Sequence, residues 1–84
     1  MVTGGSDVSA LMSGVTLHID ENTSQVERET FPGALLALDG VMAAAYHDEK
    51  PHLMLIEYDP KVIHSIEFVN EAKKSGFHAE LIGI

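Results

Sequence analysis

The chain has 84 residues, thirteen acidic against five basic, a formal net charge of −8 and 45% hydrophobic residues. That length fits one domain with a small core, and the acidic balance argues against nucleic acid and anionic membranes, whose phosphates call for a basic face. There is no cysteine, which excludes disulfides, thiolate metal sites and thiol catalysis.

Residues 1–13 read as a flexible tail, with Gly4, Gly5, Ser6, Ser9 and Ser13 making it polar and Val8, Leu11 and Met12 able to dock. A domain is expected over residues 14–84. Residues 15–19 (VTLHI) alternate apolar and polar, the mark of a half-buried strand. Residues 20–23 (DENT) form a loop, and Ser24 with Glu27 three places on has the spacing of a capping box. A helix follows to about residue 38, with Phe31, Leu35 and Leu38 on one face. Pro32 has no N–H for the carbonyl of Arg28, which predicts a kink or local break over residues 30–33. Gly40 suits the left-handed position after the helix.

Residues 41–47 (VMAAAYH) form a second strand, weak because of its alanines, and residues 48–51 (DEKP) a turn. Residues 52–58 (HLMLIEY) are apolar on both parities, so this third strand belongs at the centre of a sheet. Ile63, Ile66, Val69 and Ala72 mark the stripe of a second helix, with Phe68 beside it and Ser75-Gly76 at its end. Residues 77–84 (FHAELIGI) form the last strand. Two interlocked β-α-β halves predict a ferredoxin-like α+β sandwich, βαββαβ, with a four-stranded antiparallel sheet in the order 4-1-3-2. Right-handed crossovers place both helices on one face. The other face stays open unless the tail or a partner covers it.

Three motifs occur in order and at matching separations: Leu35-Leu36-Ala37-Leu38-Asp39-Gly40-Val41, Tyr58-Asp59-Pro60, and Gly76-Phe77-His78-Ala79-Glu80-Leu81. Over residues 15–82 the chain resembles the heavy-metal-associated domains of copper chaperones and metal-transporting ATPases, and the interval from Thr16-Leu17 to Gly40-Val41 fits them without a gap. The resemblance implies the same fold and a link to metal transport. On that match the family's metal-loop methionine falls on Asn22 and its two cysteines fall on Ser24 and Glu27, while Arg28 takes a usually apolar position. Hydroxyl and carboxylate oxygens are hard ligands and do not replace the soft thiolates that copper(I) requires.

Of the five histidines, His18 and His78 meet on the open face if strands one and four are neighbours, with Glu80 nearby. Two imidazoles and a carboxylate make a zinc- or nickel-type set; two solvated strand histidines are the other reading. Met42 and Met54 read as packing residues rather than thioether ligands. By the family analogy Tyr58 faces the helices, which turns Leu53 and Leu55 outward and, with Ile82, makes an apolar interaction surface. No nucleophile–base pair or phosphate loop is present, so no enzyme activity and no cofactor are expected. The expected function is a non-enzymatic binding module linked to heavy-metal transport, with a protein partner or self-association; divalent-ion binding through histidine and carboxylate is the alternative. No stretch has the roughly 20 apolar residues of a membrane span or the pattern of a signal peptide, so membrane insertion is not expected and the cytoplasm is the expected location; the acidic balance leaves nucleic-acid binding unexpected as well.

Overall fold

The computed structural model describes residues 12–83. Residues 1–11 of the expected tail, and Ile84, lie outside the described residues. Strand β1 spans Ser13–Ile19, helix α1 Gln25–Leu36, strand β2 Val41–His47, strand β3 Lys50–Tyr58, helix α2 Ile66–Lys74 and strand β4 Ala79–Gly83. All neighbouring strands run antiparallel, in the order β2-β3-β1-β4. This is the expected 4-1-3-2 order read from the other edge.

Alternation sets the core. Val15, Leu17 and Ile19 of β1 and Met54, Ile56 and Tyr58 of β3 are buried on one face of the sheet. Phe31 and Leu35 of α1 and Phe68 and Ala72 of α2 close over them. Two edge-to-face aromatic pairs tie the layers. Phe31 meets Phe77 with centroids 5.4 Å apart, and Tyr58 meets Phe68 at 5.0 Å. Such pairs add roughly 0.5–1.5 kcal/mol beyond their buried area.

Ser13, expected in the tail, begins β1 and pairs with Tyr58, and β4 begins at Ala79 rather than at Phe77. Three further elements differ from the sequence reading. Helix α1 runs through Pro32 without a break. Pro32 is half-buried beside the face that Phe31 and Leu35 anchor in the core, with the exposed Arg28 and Glu29 one turn before it. Packing holds the helix despite one missing bond. The β2–β3 turn is tighter than expected, because Lys50 and Pro51 belong to β3 and His47 pairs with Lys50. Pro51 needs no ladder bond there: β1 pairs only with residues 53–58 of β3, and the pairing with β2 shifts register at Tyr46 and His47. The inward face of α2 is Phe68 and Ala72, whereas Ile66 is 54% exposed. Ile63 and Val69 pack partly buried against the core as expected, so Ile66, at the first position of the helix, is the one member of the expected stripe that turns outward, and Phe68 takes the central place.

Candidate functional site

The β1–α1 turn is closed by its own backbone. Ser24 Oγ accepts the N–H of Glu27 at 3.2 Å, and Glu27 Oε1 accepts the N–H of Ser24 at 2.8 Å. This reciprocal pair satisfies two of the helix's unpaired N–H groups and places the Glu27 carboxylate at the positive helix end. Asn22, Thr23 and Arg28, with Pro51 and His52 across the sheet end, line a shallow cleft of about 250 Å³. Beside it, burial pushes the Tyr46 phenol up from its ordinary pKa. Its hydroxyl is sealed from solvent without a hydrogen bond of normal geometry.

The strand ladder builds a second cluster. His18 stands opposite Glu80 across β1 and β4, and both lie on the face away from the helices. Asp20, two residues beyond His18, shares its side of the chain. The N–H of Asp20 continues the ladder to the carbonyl of His78 at 2.9 Å. Ligand atoms of His18, Asp20 and Glu80 all fall within 4.8 Å of one another. Nδ1 of His18 lies 3.2 Å from Asp20 Oδ1, shielded from solvent, yet the angles do not make a hydrogen bond.

The third expected member, His78, is not in this group. Its N–H donates to Glu21 Oε1 at 2.8 Å, and its ring Nδ1 bonds to Glu21 Oε2. His78 precedes the start of β4, and Glu21 holds its backbone N–H and ring Nδ1, which turns the ring to Glu21 rather than to His18. The Glu21 hydrogen bond raises the His78 imidazole above its ordinary pKa, and the same bond lowers Glu21 below the usual carboxylate range. The expected trio of His18, His78 and Glu80 is therefore His18, Asp20 and Glu80. Asp20 was findable, since residues two apart on a strand share a face.

His52 was not singled out from the sequence either. Its ring stacks beside that of His18, with centroids 5.9 Å apart and planes 21° from parallel. Its Nδ1 contacts the carbonyl of Ile19 at 2.7 Å. A carbonyl only accepts, so Nδ1 carries the proton and, in the neutral ring, Nε2 keeps the lone pair. His47 accepts the N–H of Glu49 at 3.2 Å within the turn. His64 is exposed ahead of α2.

On the open face, Leu53 pairs across to His18 and Leu55 to Thr16. Leu53 is half-buried, while Leu55 and Ile82 are 46% and 51% exposed. Tyr58, Met54 and Ile56 point inward as expected. Ala43, Ala45, Gly14 and Thr16 keep this face shallow around the leucines. Its charged neighbours are the carboxylates of Glu57 and Glu80.

Solved structures with the same architecture include the N-terminal domain of a potential copper-translocating P-type ATPase from Bacillus subtilis. It is 19% identical, with a TM-score of 0.77, over 86% of this chain and 89% of that one. Oxidized MerP from Ralstonia metallidurans is 16% identical with a TM-score of 0.74, over 83% and 96% of the two chains. The CopZ metallochaperone is 18% identical with a TM-score of 0.73, over 81% and 100%. The fold is that of heavy-metal-associated domains. No protein-family profile and no curated protein matches the sequence. No helix among the described residues is long and apolar enough to cross a membrane.

Proposed function

We propose that the chain is a non-enzymatic binding module of the heavy-metal-associated type, acting by protein contact in cytoplasmic metal transport and carrying no copper(I) on thiolates. The observation that carries this reading is the β1–α1 turn. A scaffold shared with copper-domain structures has there a serine and a glutamate, both engaged in capping the helix backbone. Oxygen donors committed to a cap offer nothing to a soft cuprous ion.

The contact surface of this proposal is the open face, with Leu53, Leu55 and Ile82 at its centre and Glu57 and Glu80 at its edges. A partner with an apolar centre and a basic rim is complementary to it. A second copy is disfavoured, since each copy carries a formal charge of −8. Pairwise binding assays against the basic metal-transport proteins of the same organism test this. A partner is expected whose binding weakens with salt and is lost with Leu55→Asp. Monomeric sedimentation with no partner among those proteins, a partner indifferent to Leu55→Asp, concentration-dependent dimerisation through this face, or tight copper(I) capture by the turn would each overturn the reading.

A further inference from the structure

We propose that His18, Asp20 and Glu80 form a binding site for a zinc-class divalent cation, with one imidazole nitrogen and two carboxylate oxygens as ligands. The site is separate from the β1–α1 cap and shares Glu80 with the edge of the open face, but its three ligands all come from this chain.

Three features carry the inference. Two strands converge on the group: the β1–β4 ladder sets His18 against Glu80, and Asp20 follows on the same side of β1, bringing the ligand atoms within 4.8 Å of one another. Tetrahedral zinc with ligands at roughly 2.0–2.2 Å holds neighbouring ligand atoms about 3.3–3.5 Å apart. Small rotations of half-exposed and exposed side chains span the difference. Secondly, Nδ1 of His18 is shielded from solvent and has no hydrogen-bond partner, although a carboxylate oxygen lies 3.2 Å away. A shielded imidazole nitrogen without a partner is costly unless something else takes its lone pair. Thirdly, two carboxylates share this small volume in a chain whose formal charge is already −8. A divalent cation relieves their repulsion.

The donor set selects the metal. One nitrogen and two oxygens suit zinc, cobalt, nickel and copper(II). Calcium and magnesium need six or more oxygens. Copper(I) has no soft donor here: Met54 is fully buried on the opposite face of the sheet, and Met42 lies on the far edge strand β2. Three protein ligands leave a coordination position for water or for a donor from a docked partner. His52 stacks on the His18 ring and is itself held by the Ile19 carbonyl.

Calorimetric titration of the metal-free full chain with zinc chloride at neutral pH tests the proposal. Binding of one ion per chain is expected, weakened at least tenfold by His18→Ala and by Glu80→Gln and unchanged by His64→Ala. In parallel, nitrogen-15 spectra of the wild-type imidazoles should show zinc shifting the His18 ring nitrogens more than those of His47, His64 or His78. That measurement needs no variant to fold. An absence of heat, undiminished binding in both His18→Ala and Glu80→Gln, or the largest zinc shift at His78 would overturn the proposal.

Discussion

Glu21 holds His78 by two groups at once: one carboxylate oxygen accepts its backbone N–H and the other bonds its ring. The pair joins the β1–α1 loop to the residue leading into β4. Its effect on stability follows from the opposite shifts of the two partners. His78 is raised by the Glu21 bond, so its contribution is full below the unfolded imidazole value of about 6.5 and is lost as pH rises through the folded value. Glu21 is lowered by the His78 bond, so its contribution is present above the unfolded carboxylate value of about 4.3 and is lost as pH falls through the folded value. The pair is therefore at full strength between about pH 4.3 and 6.5 and fades on either side. Both groups face solvent, so salt should weaken it. An NMR titration of the metal-free protein should show the His78 midpoint falling toward the ordinary value in Glu21→Gln; equal midpoints in the two proteins would contradict this.

Gly40 and Gly76 both adopt positive φ, at +93° and +88°, yet alanine should cost more at the first. A Cβ at Gly40 would lie 2.8 Å from Val62 Cγ1 and 2.9 Å from Val62 Cβ, while one at Gly76 meets nothing within 4 Å. Gly76→Ala should cost roughly 1–2 kcal/mol, the left-handed penalty alone. Gly40→Ala should add a further ~1–3 kcal/mol of overpacking. Urea unfolding of the two variants gives the comparison, and equal midpoints would count against the tight approach at Gly40.

Phe68 and Ile66 separate the two possible phases of α2. Phe68→Ala should cost about 3–5 kcal/mol, enough to leave a domain of this size largely unfolded. Ile66→Ala should stay within about 1 kcal/mol, since the side chain is more than half exposed. Amide dispersion in NMR spectra reports the first effect and chemical denaturation the second. A reversed order would refute the packing described for α2.

Ser24→Ala should cost about 1 kcal/mol, in the range for a lost N-cap, and should leave zinc affinity unchanged. Thermal unfolding and calorimetry on the same variant measure both. A change in affinity without a change in stability would mean that Ser24 is a ligand rather than a cap.

The strands, helices and sheet order were legible because alternation in residues 15–19 and the glycine-terminated helices are local patterns that the packing reinforces. The exposure of Ile66 and the central place of Phe68 were not, since Ile63, Ile66, Val69 and Ala72 read as one apolar stripe until the start of the helix is known. At the candidate site, pairing His18 with Glu80 needed only the strand neighbours. Excluding His78 required knowing that Glu21 holds its N–H and Nδ1 and that β4 starts at Ala79 rather than at Phe77. The stacking of His52 on His18 depended on the register between β1 and β3, which sets Leu53 against His18 and which alternation alone does not give.

The ladder between β1 and β4 changes alignment between Thr16 and Leu17. Sliding β4 by one residue from there would turn Glu80 into the hydrophobic interior and Leu81 out to water. That slip is forbidden by oil-and-water forces alone. The three donors are thus brought together as the polypeptide collapses, with no ion required as a template, and their arrangement should persist in chelator-treated protein. Any attempt to transplant this trio onto another sheet would have to carry over the strand offset as well as the side chains.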